Sequence, residues 1–153
     1  MGFRTVSTHN VRNLENQEVD ISSSDVFFIG ENGQGKTNLI ETIYLLCYGS
    51  SFRTKKDDLI KSYGKDEVWI RGTYSLTEGL VNTIFFTIKK KKKEIYFNKK
   101  KVKDRKELVH NIPCIIFSHN DIQFIGGSPE KQRWFFNQTI NLYNTLYINN
   151  YKK

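Results

Sequence analysis

Residues 30–38 read Gly-Glu-Asn-Gly-Gln-Gly-Lys-Thr-Asn, and three glycines ahead of a lysine and a threonine are the composition that wraps a phosphate. Glycine lets the main chain turn with no Cβ in the way, so that successive N–H groups point inward at phosphate oxygens. The spacing of Gly30, four residues, then Gly35-Lys36-Thr37 is that of a P-loop. In such a loop Lys36 reaches the β- and γ-phosphates, the Thr37 hydroxyl ligates Mg²⁺, and Asn32 adds a polar contact near the γ-phosphate. The expected ATP-binding set is Gly30, Glu31, Asn32, Gly33, Gln34, Gly35, Lys36, Thr37 and Asn38.

A phosphate loop works only between a strand and a helix, because the helix N-terminus adds unpaired amides and the positive end of its dipole. Both flanks are legible. Val26-Phe27-Phe28-Ile29 is apolar at every position, as expected of a strand covered on both faces. Leu39, Ile40, Ile43, Tyr44, Leu46 and Cys47 follow with a helical period, and Gly49 supplies a C-terminal stop. The plain alternative, a glycine-rich turn with no ligand, does not account for this strand-loop-helix context.

The rest of the chain divides into short elements. Residues 3–20 predict two strands around a turn at 13–16, and 22–25 a loop. A short helix is expected around 58–63, ending at Gly64. Strand alternation at Val68, Ile70, Tyr74 and Leu76, at Ile84, Phe86 and Ile88, and at Ile95 and Phe97 predicts an antiparallel meander. It turns at 77–79 and in the lysine run 89–93. Asp104 with Glu107 starts a helix to about Asn111, and 113–117 is a second fully apolar strand. Ser128-Pro129 opens a long helix with Phe136, Ile140, Tyr143, Tyr147 and Tyr151 on one face and no stop signal before Lys153.

Charge narrows the partners. Against 16 acidic residues stand 24 Lys and Arg, a balance that favours acidic ligands such as nucleic acid or nucleotide phosphates. Lysine, asparagine and isoleucine are abundant and alanine is absent, a bias that dilutes any reading of lysine as functional. Cys47 and Cys114 lie far apart in apolar segments, and His9, His110 and His119 are isolated, so neither a disulfide nor a metal site is expected. No signal-peptide pattern is present, and no apolar run nears the roughly 20 residues that span a bilayer, so the expected location is the cytoplasm.

The run GENGQGKTNLIETIYLLCYGSSFRT at 30–54 resembles the RecF family of bacterial DNA replication and repair ATPases, relatives of SMC heads and ABC-type ATPases. VRN at 11–13 is similar to that family's N-terminal strand and turn, and IPCIIFSHNDIQFIGGSPEKQRWFFN at 112–137 to its stretch before a long helix. The chain departs from the family pattern at His119-Asn120-Asp121, at Gln132-Arg133 and at Asn137. The resemblance implies an α/β P-loop NTPase fold: an incomplete ABC/SMC-type head lobe I with a peripheral antiparallel β-sheet, spanning 1–153 as an N-terminal part. It implies ATP and Mg²⁺ as cofactors, DNA gap junctions and RecO and RecR as partners, an ATP-dependent homodimer, and a place in gap repair and the SOS response. By analogy Arg12 faces the nucleotide base or phosphates.

The family's signature motif, Walker B Asp-Glu pair and switch residue match nothing in these residues, so hydrolysis is not expected of this chain alone. For DNA the candidates are Arg53, Lys55 and Lys56 past the P-loop helix, then Lys91 and Lys92 at a hairpin tip. The competing account of the lysine tips is a solvated edge that prevents strand-to-strand aggregation. Two rival functions stand beside ATP binding. One is a truncated, non-catalytic relic with residual DNA affinity. The other is a GTP-binding switch, for which Thr54-Lys55-Lys56-Asp57 resembles a guanine motif but follows no apolar strand.

Overall fold

A computed structural model describes residues 2–75, 79–112, 114–117, 128–130, 132, 133, 136, 137 and 140. The chain divides into two compact units, residues 1–108 and 109–153. The first holds a six-stranded sheet, β1 Gly2–His9, β2 Glu18–Asp20, β3 Glu67–Ser75, β4 Val81–Lys89, β5 Lys92–Phe97 and β6 Lys100–Lys101. The strand order is β2-β1-β3-β4-β5-β6, and every neighbouring pair is antiparallel.

Alternation sets which side each residue takes. Val6, Val68, Ile70, Tyr74, Ile84, Phe86, Ile88 and Ile95 are buried on one face. Against that face packs helix α1, Lys36–Tyr48. Its buried residues are Glu41, Thr42, Leu45, Leu46 and Cys47. The apolar period therefore runs about one position off expectation, since Ile40 stays exposed. Leu46 lies so close to β3 that a Cβ on Gly72 would come within 2.7 Å of it. Gly49 caps α1 in the left-handed conformation, φ 65°, and donates its N–H to Leu45 O at 2.8 Å.

The meander forms as the alternation predicts, though Leu76, and Thr77 and Glu78 of the first turn, lie outside the described residues. Its other two turns rest on residues with positive φ, Lys90-Lys91 at 46° and 63° and Asn98-Lys99 at 45° and 66°. Left-handed conformation at both central residues matches the right-handed twist of the flanking strands, the preferred geometry of a two-residue hairpin.

Three expectations change. Val26 to Ile29 pair with no strand among the described residues, and Phe27 and Ile29 are 82% and 94% exposed. Hydrophobicity marks a segment that needs cover, but strand pairing requires a neighbour to share its hydrogen bonds. For the same reason 114–117 form no strand, with Ile115 and Phe117 exposed. The expected helix at 58–63 is one 3₁₀ turn, Asp57–Ile60, because Lys61 leaves it to bridge Val11. Gly64 is left-handed, φ 73°, in the turn that follows.

Helix α2, Arg105–Asn111, starts as anticipated, with Asp104 Oδ1 accepting from the Lys106 amide at 3.0 Å. In the second unit, residues 129, 130, 132, 133, 136, 137 and 140 are helical. Tyr143, Tyr147, Tyr151 and the stretch 118–127 lie outside the described residues.

Candidate nucleotide site

The glycine loop leads into α1, and the first hydrogen bond entering the helix runs from Leu39 N to Gly35 O at 2.9 Å. The main-chain N–H groups of residues 32–38 donate to no protein acceptor, and no side chain caps the helix. Left-handed φ at Gly33, 85°, and Gly35, 97°, turns the loop back over this end. A Cβ on Gly35 would be strained at this φ and would stand 2.7 Å from Leu14 Cδ2, which would have to move. A ring of undirected amides at a helix N-terminus is a receptor for an anion.

Side chains complete the cradle. Lys36 Nζ donates to Gly30 O and Glu31 O, both at 2.7 Å, which holds the ammonium across the loop and leaves its third N–H for a phosphate. Gln34 Oε1 accepts from Glu31 N at 3.2 Å and stiffens the same turn. Thr37 is exposed, and its hydroxyl has no hydrogen bond. Exposed amides, one ammonium and one free hydroxyl are the donor set that a magnesium triphosphate requires, so these residues fit that group.

Behind the loop lies a polar network that composition did not reveal. Arg12 grips Glu41 in bidentate fashion, Nε to Oε2 at 2.5 Å and Nη2 to Oε1 at 2.8 Å. Ser51 Oγ donates a short hydrogen bond to Glu41 Oε1, and Arg53 Nη1 lies 3.5 Å from Oε2. Glu41 is 1% exposed, so these partners are what makes its burial tolerable. Arg53 Nη1 also reaches Asn38 Oδ1 at 2.6 Å; Asn38 Nδ2 donates to Asn13 Oδ1, and Asn13 Nδ2 to Gly33 O at 2.8 Å. A continuous chain of hydrogen bonds therefore joins Arg53 to the main chain of the glycine loop.

Arg12 sits in a tight turn closed by Leu14 N to Val11 O, with φ 45°, an unusual conformation for a long side chain. Two of its nitrogens serve Glu41, a role sequence reasoning did not assign. Asn13, Glu41 and Ser51 were likewise missed as site residues. One sequence signal existed for Glu41: it is the single carboxylate within the helical apolar period, between Ile40 and Thr42.

Among the DNA candidates, Arg53 joins this network, while Lys55 and Lys56 are exposed beside it. The Ser51 Oγ that binds Glu41 also accepts from the amides of Arg53 and Thr54 at 2.9 and 3.1 Å, which fixes the basic segment to the helix. Lys91 and Lys92 lie apart from it, at the β4–β5 turn. Lys92 pairs with Glu94 at 3.2 Å, as Lys101 does at 2.6 Å, and Lys93 pairs with Asp57 at 3.0 Å. Hydrogen bonds from Lys101, Lys92 and Tyr96 hold the Glu94 carboxyl down to about 2. Much of the lysine run is thus internally neutralised. Among the described residues, no helix is long and apolar enough to cross a membrane, and no cluster of His, Cys, Asp and Glu is arranged to hold a metal ion.

Residues 5–150 match the AAA domain family. The chain is 43% identical over 145 residues to the DNA replication and repair protein RecF of Treponema pallidum (strain Nichols), covering 91% of this chain and 40% of that protein. It is 38% identical over 149 residues to RecF of Clostridium botulinum (strain Loch Maree / Type A3), covering 96% and 40%. Among solved structures it is similar to the recombination mediator protein RecF-ATP in the RecFOR pathway, TM-score 0.79 at 28% identity over 96% of this chain and 40% of that one. The RecF-ATPrS structure gives 0.81 at 28% identity, covering 95% and 40%. The chain spans about 40% of the length of the curated relatives it matches. The fold is thereby shown to be the P-loop class with its antiparallel sheet.

Proposed function

The chain belongs to the AAA domain family, and from that premise we propose that it is the ATP-binding part of a RecF-type protein of DNA replication and recombinational repair. The observation that carries this reading is the set of main-chain amides at 32–38 without protein acceptors, spanned by Lys36. Residues 30–38 hold the triphosphate, with Gly33 and Gly35 shaping the loop, Lys36 neutralising the β- and γ-phosphates and Thr37 Oγ1 facing Mg²⁺. The metal, when bound, neutralises phosphate charge. Arg12, with one terminal nitrogen outside its pair with Glu41, offers a further donor to the phosphates.

Arg53, Lys55 and Lys56 are the first DNA contacts, with Lys91 and Lys92 as a second, weaker patch. The hydrogen-bond chain from Arg53 to Gly33 O supports a physical link between DNA and the loop. The solved RecF-ATP structures belong to the RecFOR pathway. RecO and RecR are accordingly the proposed protein partners, and an ATP-dependent homodimer the proposed assembly.

A competition experiment tests the assignment. A fluorescent ATP analogue with Mg²⁺ is expected to bind, to be displaced by ATP at least tenfold better than by GTP, and to lose its magnesium dependence in Thr37→Ala. Displacement by GTP at equal or lower concentration would refute the adenine reading and favour a guanine-nucleotide switch.

A further inference from the structure

Alternation along the sheet strands leaves the face away from α1 to solvent, and polar residues are expected there. Thr5, Ser7, Arg71, Thr73, Thr83 and Thr87 meet that expectation, their buried strand neighbours lying on the other side. Yet four strands in succession also place a ring on this outer face. His9 stacks on Trp69 with centroids 5.3 Å apart, Trp69 on Phe85 at 6.0 Å, and Phe85 meets Tyr96 at 6.3 Å. The registers His9↔Trp69 and Phe85↔Tyr96 make two of these contacts direct cross-strand pairs. All four rings are only half-buried, and helix α1 packs on the opposite face of the sheet.

Beside the last pair lies a cavity of about 420 Å³ lined by Thr83, Phe85, Thr87, Tyr96 and Lys99. Its walls are two rings and two threonines, and one cation stands at its rim. Lys99 occupies the β5–β6 turn with φ 66° and forms no ion pair. Arg71, opposite Phe85 in register, is exposed and likewise lacks a carboxylate. The two acidic residues of these strands, Glu67 and Glu94, are held by Lys89 and by Lys92 and Lys101. The surface that remains is aromatic and positive.

We propose that this outer face is a binding site for single-stranded DNA, in which an unpaired base enters the slot at Phe85 and Tyr96 and flanking phosphates lie along Lys99 and Arg71. A base in a duplex has both faces occupied and cannot reach a half-buried ring; a splayed single strand can, and stacking tolerates any sequence. A cross-strand aromatic ladder also stabilises a sheet without any ligand. The uncovered slot and the unneutralised cations beside it are what that role leaves unexplained. The site shares no residue with Arg53, Lys55 and Lys56 and needs no nucleotide. It extends the DNA-binding half of the proposed function, and the failure of ATP binding would not touch it.

The test measures binding of labelled 15-mer oligothymidylate by anisotropy to the whole chain without nucleotide or magnesium. Phe85→Leu and Tyr96→Leu keep apolar volume and remove the ring, and each is expected to weaken binding about tenfold, in keeping with the strength of base–aromatic stacking. Tyr96→Phe retains a ring and should stay within twofold. In a Trp134→Phe background Trp69 is the only tryptophan, and oligothymidylate should quench it while a 15-base-pair duplex does not. The proposal is overturned if both leucine variants bind oligothymidylate within twofold of the parent. Equal weakening of heparin and duplex binding by those variants would also overturn it, since that marks general electrostatics. Far-ultraviolet dichroism matching the parent secures each variant's fold, and the Trp69 quenching, read on the parent ring set, decides the matter even where a leucine variant fails to fold.

Discussion

The sheet and the segment that feeds the glycine loop are equally apolar in sequence and opposite in fate. Phe86, in the middle of β4, is fully buried between hydrogen-bonded strands; Ile29, one residue before the loop, is 94% exposed and outside the sheet. The sheet takes its partners from the next stretches of chain, so hairpins at 90–91 and 98–99 bring them together at little loop-closure cost. Among the described residues no stretch pairs with 26–29. The glycine loop nevertheless keeps its shape, because its supports come from behind: Asn13, Leu14 and the Arg12–Glu41 network brace it from the side of the sheet and α1. A glycine loop of this shape can thus be held by its helix and by the polar contacts behind it.

Mutations at the two ends of this comparison should behave very differently. Phe86→Ala is expected to cost about 3–5 kcal/mol of unfolding free energy by opening a cavity in the sheet core. Ile29→Ser, which exposes nothing new, should change stability by no more than about 0.5 kcal/mol. Urea titrations of both variants check the pair, and a large loss in Ile29→Ser would mean the segment is covered after all.

Next in size is Glu41→Ala, which leaves the Arg12 guanidinium without its carboxylate and should cost about 3 kcal/mol. Thermal unfolding reads that loss, and nucleotide affinity should fall with it because the Asn38–Asn13 support is disturbed. A variant that keeps full stability would show that the pair only breaks even with water.

Tyr74→Phe should move stability the other way. Its hydroxyl is buried with no hydrogen-bond partner, and burial pushes its ionisation up to about 12. Removing an unsatisfied group of this kind is worth about 1 kcal/mol. The parent should also lose stability as pH rises from 10 towards 12, since the unfolded chain ionises there and the folded one does not. Tyr74→Phe should lack that loss.

The smallest effect belongs to Glu94 on the sheet edge, held near 2 by its lysine and tyrosine partners. Its contribution is present above the ordinary carboxylate range and fades as pH falls from about 4.5 towards 2. Glu94→Gln should therefore flatten the acid limb of a stability profile slightly, and 0.5 M salt should shrink the difference further.

Much of this was legible in the residues. Helix α1 and its stop at Gly49 followed from spacing, as did the loop from Gly30 to Thr37 and the three long strands of the meander. What escaped has a common cause. Apolar runs at 26–29 and 113–117 state that cover is wanted and say nothing about which segment pairs with them. Glu41 escaped because a lone carboxylate in a helix reads as solvent-facing until a partner 29 residues away is known. The aromatic ladder was legible only in part: Phe85, Tyr96 and Phe97 neighbour the lysine tips in sequence, whereas His9 and Trp69 join Phe85 and Tyr96 only through strand register. Pattern reports local form; long-range pairing sets which polar groups meet.

Titration calorimetry with Mg-ATP on the parent and on Lys36→Ala tests the central claim most directly. The parent should release magnesium-dependent heat with a one-to-one stoichiometry, a thermal midpoint should rise with ligand, by about 2.7 kcal/mol of added stability at a hundred times the dissociation constant, and Lys36→Ala should show neither. Absence of heat from folded parent protein, or undiminished heat from Lys36→Ala, would contradict the assignment of residues 30–38 as the triphosphate cradle.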